Sequence, residues 1–555
     1  VNDNWGSSTK LQQAIRSYRD GSGAAVCQDV ANGCVAINLF GSAGSIDSAM
    51  VDFINLDAQT TRKSTLAVVG GNLSGDLFGL TSPLSDKPMA FSLGAEYRRL
   101  TAAARPDAAL QIQNEVLGTG ARTPPDFGEI SVREIFGEII APIIRDKPFF
   151  HDLQLEAGIR YSDYSTTGTS TTWKAGGSYE PFPGYKFRGM YQVAVRSPNV
   201  QELFQSPVLG LATRQEDPCQ GSLPIGNAGL TALCIATGAP SATIGAIPNP
   251  SANQVNQTTG GNRNLDVERA KTYTLGVVLT PPQFSGFSLT VDYFNIKITD
   301  AISRPNANDI MDGCFAPALN PQFTYNAFCQ LIQRNPLTGG LNGTGETPGV
   351  ILASSNLGKI ETAGIDLGVH YSLRLADIGI GGNDPGKVQL GFNGTWLDYY
   401  HFQATPNSVD RDCTGYYSSS CGNPRSTFRW NARATYSRDL FDVSLLWQHV
   451  SRVVIEPQPN GPRLDPTSFT TVVYQGVTYT NVPANGIYEP YRQIKAFDYF
   501  DLSTKVRVNE MFELNLLVKN LFDKQPPEVA GVGVNTAVSY DVFGRTYSLT
   551  ARLRF

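Results

Sequence analysis

Eight cysteines fall into four close pairs, Cys27/Cys34, Cys219/Cys234, Cys314/Cys329 and Cys413/Cys421. Such pairs can hold a metal or close a disulfide. Metal binding is the weaker reading, because the spacings contain no CxxC unit and most pairs have no histidine nearby. Disulfides fit an oxidising compartment, and each would stabilise its short loop by about 2–3 kcal/mol. His151, His370, His401 and His449 are scattered, and a lone histidine in a strand reads as a lining or interfacial side chain. The sequence contains no nucleophile elbow, phosphate loop or HExxH. The expectation is a protein that is not an enzyme and carries no cofactor or metal.

Aromatic rings with charges beside them can stack on sugars, catechols or peptides. Two regions offer this. Segment 199–267 carries Phe204, Arg214, Glu216 and Asp217, and segment 403–423 carries Arg411, Asp412, Tyr416 and Tyr417, next to Tyr399, Tyr400 and His401. Phe204, Arg214, Tyr399, Tyr400, His401, Tyr416 and Tyr417 are therefore the candidate ligand contacts. Tyr399 and Tyr400 also suit an aromatic girdle at a membrane boundary.

The elements that would position these residues are strands. In the last eleven residues, Tyr547, Leu549, Ala551, Leu553 and Phe555 alternate with Thr546, Ser548, Thr550, Arg552 and Arg554. Tyr185, Phe187, Tyr191, Val193 and Val195 alternate in the same way with Lys186, Arg188, Gln192 and Arg196. Inward charges cost little in a wet lumen and much in a dry core. Segment 287–298 begins with Phe287, Leu289, Val291 and Tyr293 on one face and then changes to Ile296 and Ile298, which predicts a bulge. Charged residues make up 17 % of the chain, below the roughly 25 % of soluble proteins. No apolar run reaches the ~18 residues of a membrane-spanning helix, so a membrane protein of this sequence must be a closed barrel. A large secreted all-β protein is the competing fold. The net charge of −5 argues against nucleic acid as a partner.

About fifteen candidate strands follow from this pattern: 62–79, 88–103, 126–142, 150–164, 168–181, 184–198, 268–281, 286–299, 355–373, 386–402, 424–439, 441–455, 494–508, 511–523 and 545–555. Short turns such as 439–440 alternate with long connections at 199–267, 300–354, 403–423, 456–493 and 524–544. In an outer-membrane barrel the long loops are extracellular and the short turns periplasmic. Three cysteine pairs lie in long loops. The fourth precedes the first strand, within 1–61, read as an extracellular loop with a short helix near Ser8–Tyr18 that enters a barrel spanning 62–555.

Several stretches, in order over about 360 residues, resemble the TonB-dependent outer-membrane receptors. Val195-Arg-Ser-Pro-Asn-Val-Gln-Glu-Leu-Phe204 is similar to the family's exit from a strand into an outer loop. Gly261-Asn-Arg-Asn-Leu-Asp-Val-Glu-Arg-Ala-Lys-Thr-Tyr273 is similar to its return, with Arg263 and Val267 in place of two expected prolines. Asn356-Leu-Gly-Lys-Ile-Glu-Thr-Ala-Gly-Ile-Asp366, Asn520-Leu-Phe-Asp523 and Gly544-Arg-Thr-Tyr547 complete the match.

The resemblance implies active import of a scarce, bulky nutrient of siderophore, cobalamin, glycan or peptide class into the periplasm of a Gram-negative bacterium. It also implies a signal peptide, a TonB-contacting box, a plug and a barrel of about 22 strands. No signal peptide or plug is recognisable in this chain, which reads as the final fifteen or so strands. The partners expected are outer-membrane lipid, the nutrient, the TonB energy-transducing complex through a plug, and a surface lipoprotein. The alternatives are a plugless passive pore, a barrel subunit of a surface assembly, and a surface adhesin or phage receptor.

Overall fold

A computed structural model describes residues 2–118, 121–214, 216–343, 347–381, 385–406, 408–418, 421–456, 469–474, 477–483, 493–527 and 539–554. Phe555, most of the expected loop 456–493 and part of 524–544 lie outside the described residues.

The two-residue alternation produces one sheet of fifteen long strands, each antiparallel to its sequence neighbours. They are β1 (Thr60–Thr81), β2 (Pro88–Pro106), β3 (Asp126–Lys147), β4 (Phe150–Tyr164), β5 (Gly168–Phe182), β6 (Tyr185–Arg196), β7 (Glu268–Leu279) and β8 (Phe287–Ser303). The sheet continues through β9 (Ser355–Arg374), β10 (Lys387–Gln403), β11 (Phe428–Arg438), β12 (Phe441–Val450), β13 (Phe497–Arg507), β14 (Phe512–Lys519) and β15 (Thr546–Leu553). A two-residue strand, Arg411–Asp412, adds to β10 off this path. Every expected strand is present, with ends differing by a few residues. All long connections leave one end of the sheet. The other end carries the shorter ones, such as the two residues between β11 and β12, with 375–386 between β9 and β10 of intermediate length.

Register decides which side chains share a face, and the result is one apolar and one charged side. Phe187, Tyr191 and Leu275 stand exposed on the apolar face. Opposite them, Arg188 pairs with Asp292 at 2.5 Å, Lys186 with Glu180 at 3.5 Å and Lys174 with Glu138 at 3.2 Å. Among the described residues nothing covers the apolar face. The four buried apolar clusters lie mainly in the connections and the N-terminal segment, with only a few wall residues joining them. A wall with water-compatible charge on one side and bare Leu, Ile and Trp on the other is stable where lipid covers the second side.

Aromatic side chains mark two levels on the apolar face. Towards the long loops, Trp173 lies 5.4 Å from Tyr191, Tyr273 6.0 Å from Tyr293, and Trp430 4.7 Å from Trp447. Towards the short turns stand Tyr179 and Tyr436. From Trp173 to Tyr179, and from Trp430 to Tyr436, is six residues of strand, roughly 20 Å at 3.4 Å per residue. That suits an apolar band flanked by aromatic girdles.

Two local details depart from the sequence pattern. The bulge expected within 287–298 is absent: β7 and β8 stay in register from Leu279↔Leu289 to Arg269↔Thr299. Ile296 and Ile298 keep the face of Asp292, while Asn295 and Lys297 continue the face of Tyr293 past the aromatic level, where lipid no longer demands apolar residues. The register shifts only beyond Ile298, around Asp300, whose φ is 54°. A true bulge sits in β10, where Ala363 pairs with Tyr399 and Gly364 with Leu397, leaving Asp398 unpaired.

The N-terminal segment is folded. Helices α1 (Ser8–Ile15) and α2 (Ser48–Ile54) bury Ala14, Ile37 and Phe53 between them. Ser17–Arg19 is extended and pairs with Ala25–Cys27, so the helix is shorter than expected.

Candidate functional site at the loop-bearing mouth

Residues from separate strands meet at the loop-bearing end. Helix α3 (Val200–Phe204) begins with a reciprocal cap: the Asn199 side chain accepts from the Glu202 N–H, and the Glu202 carboxylate accepts from the Asn199 N–H. Glu202 also receives Arg196, which reaches Glu268 at 2.7 Å. Val200 and Leu203 pack against Ile130 and Leu265, with Leu100 and Phe204 at the margin. Leu100 and Ile130 share the charged face of β2 and β3, so α3 folds inward over the mouth.

The return segment is fitted to α3. The Gly261 N–H donates to the Gln205 carbonyl and the Asn262 N–H to the Glu202 carbonyl. A Cβ on Gly261 would lie 2.7 Å from the Leu203 and Gln205 backbone. Asn356, at the start of β9, accepts from the Asp266 N–H and donates to the Asp266 and Asp300 carbonyls. Three stretches that read as separate motifs are thus one packed junction.

Above it, two long loops share a cap. Val208–Thr213, Gln254–Gly260, Gly349–Ala353 and Ile332–Gln333 form a four-stranded sheet. Beneath it, α4 (Ala228–Ala236) and α5 (Ala307–Phe315) bury Leu233, Ile310, Met311 and Phe315 around the Cys219–Cys234 and Cys314–Cys329 disulfides. Arg334, fully buried, binds Asp217 through two nitrogens at 2.6 and 2.9 Å. A second cap gathers Tyr417, Val453, Ile455, Ile494, Tyr499 and Tyr540. Burial pushes the Tyr540 phenol up to about 12. Arg411 joins the caps, binding Asp309 of the first and Glu456 of the second, the latter at 2.7 Å. The Cys27–Cys34 and Cys413–Cys421 disulfides are also formed.

The candidate ligand residues take different positions. Phe204 packs beside α3 with the Arg263 guanidinium 5.2 Å from its ring. Arg214 binds Asp312 at 2.8 Å inside the first cap. Tyr417 is buried in the second cap, and Tyr416 beside it is half-buried. The Asp398 bulge puts Tyr399 and His401 on the apolar side, their rings 5.6 Å apart. Tyr400 turns to the charged side, with the Arg425 guanidinium 3.6 Å from its ring. Sequence reasoning passed over Arg425 and Arg334, whose partners are set by long-range folding. Among the described residues no group of three or more His, Cys, Asp or Glu could hold a metal.

A single-layer antiparallel wall, aromatic-banded outside and charged inside, with disulfide-bonded caps at one end, defines a membrane β-barrel of the outer-membrane type. The chain belongs to the TonB-dependent receptor-like β-barrel family, whose profile matches residues 2–521. A mutant ferric enterobactin receptor, PfeA, of Pseudomonas aeruginosa superposes with a TM-score of 0.52 at 14 % identity, covering 89 % of this chain and 54 % of that one. Another PfeA mutant, in complex with enterobactin, gives 0.51 at 14 % identity, with 91 % and 56 % covered. The chain therefore spans just over half the length of these receptors. No curated protein matches it.

Proposed function

We propose that this chain is the larger part of the barrel of a TonB-dependent receptor that binds a scarce, bulky nutrient at its capped mouth and imports it into the periplasm. The family match over residues 2–521 carries the reading, and the inward-folded, disulfide-bonded caps support a mouth built to hold a ligand. In this reading the long loops are extracellular, the C-terminus is periplasmic, and a plug contacts the TonB complex. Of the candidate contacts, Tyr400 is retained first, because its ring and Arg425 face the lumen; Tyr416 is second.

Ferric siderophores head the test panel, since the solved structures it resembles are described as ferric enterobactin receptors; cobalamin, glycans and peptides follow. The test is uptake of labelled nutrient by cells with and without the gene, before and after the proton gradient is collapsed. Energy-dependent uptake lost on deletion is the expected outcome. Uptake that survives collapse of the gradient would identify a passive pore, and no nutrient phenotype at all would leave the barrel as an anchor or adhesin.

A further inference from the structure

The outward face of β7, β8 and β9 carries a basic patch immediately on the loop side of the aromatic level. Tyr273 and Tyr293 mark that level. Two and four residues further along β7 stand Lys271 and Arg269, both exposed on the same face as Tyr273. Lys297 lies directly opposite Lys271 in the β7–β8 register, and Lys359 follows on β9. Glu361, between them, is committed to Lys297 at 2.8 Å and Lys359 at 3.1 Å. Asp410 at the far margin lies 3.5 Å from His401. Four basic groups thus face one carboxylate. Arg269 and Lys271 have no hydrogen-bond or ion-pair partner among the described residues.

Two lysines directly opposite on adjacent strands repel each other and destabilise the pairing. The arrangement becomes favourable when an anion lies between them. Its height in the wall restricts what that anion can be. Tyrosine rings sit at the headgroup level of a bilayer, so a basic cluster one or two residue pairs beyond them meets lipid headgroups before it meets bulk solvent. Each basic residue near such a surface adds attraction for anionic lipid.

We propose that Arg269, Lys271, Lys297 and Lys359 form a docking site for a phosphate-bearing lipid headgroup in the membrane leaflet at the loop-bearing end. The site rests on the placement of the barrel in a membrane and is independent of which nutrient the receptor takes.

The test uses the full-length protein in detergent micelles doped with phosphatidylglycerol or phosphatidylcholine, with retained lipid counted by native mass spectrometry. The wild type is expected to retain phosphatidylglycerol in preference, and R269Q/K271Q to lower that preference on the order of tenfold. K87Q, at the short-turn end, is the control and leaves it unchanged. The preference of the wild type should also fall with rising salt, a readout that needs no variant. Equal retention of both lipids by the wild type, or unaltered retention by the double variant, would overturn the proposal. Displacement of the lipid by inorganic phosphate alone would overturn it too, by reassigning the patch to soluble anions. Nutrient uptake is expected to stay at the wild-type level in the double variant, so this test and that of the receptor reading fail separately.

Discussion

Single side chains hold the mouth together by satisfying groups brought from far apart in sequence. Arg334 and Asp217 are both removed from water, and truncating one leaves the other charge buried alone. Arg334→Ala is expected to destabilise the first cap by about 3–5 kcal/mol, seen as faster proteolysis within 197–267 and 304–354 with the wall strands unaffected. Arg411→Ala strands Asp309 and Glu456 together, and hydrogen exchange should rise in both caps at once. A rise confined to one cap would show that Arg411 does not couple them. Gly261→Ala acts through space: its Cβ would meet backbone atoms, which cannot swing aside as a side-chain tip can. A cost of about 1–3 kcal/mol is expected, localised to α3 and read by hydrogen exchange over 199–205.

Among the elements, the N-terminal segment is held to the β2–β3 connection by two backbone hydrogen bonds, Ser8 N–H to the Glu115 carbonyl and Leu117 N–H to the Gly6 carbonyl, and by one carboxylate. Glu115 accepts from the hydroxyls of Ser7 and Thr9. Burial, the largest single influence, would raise its pKa, but those hydroxyls together with the Thr9 N–H hold it below the ordinary 4.5. A depressed carboxyl stabilises the fold above its ordinary value, and that stability is lost as the pH falls through the folded value. The segment should therefore loosen below about pH 4.5, and Glu115→Gln should remove that acid step in a pH series of proteolysis at 1–59. The strands were legible in the sequence because lipid on one side and water on the other impose a period of two. The cysteine pairs were legible because each is close in sequence. The Asp398 bulge was not: the simple alternation from Trp396 puts Tyr400 outward, whereas the extra residue turns it inward. Its only trace was the apolar pair Trp396-Leu397 breaking the pattern. Arg334–Asp217 and the three-loop contact of Arg411 are products of long-range packing, which no local spacing encodes.

For the whole molecule, the unburied apolar face predicts where its tryptophans sit. Trp173, Trp396, Trp430 and Trp447 share that face, leaving only Trp5 of the five elsewhere. In vesicles of brominated phosphatidylcholine, most of the intrinsic fluorescence should be quenched relative to unbrominated vesicles. An unchanged signal would place the wall outside the bilayer. The shared cap has one more consequence. Its two loops flank a single hairpin, β7–β8, entering at 197–267 and leaving at 304–354. Once the four-stranded sheet and the buried Arg334–Asp217 pair have formed, the hairpin is tethered at both of its upper ends. A slip of one residue against β6 or β9 would send Arg188's partner Asp292 into lipid and Tyr293 into the lumen, and it would also have to drag the cap with it. The cap is thus expected to act as a ratchet on insertion, closing only over a correctly threaded hairpin and then keeping that threading from being undone.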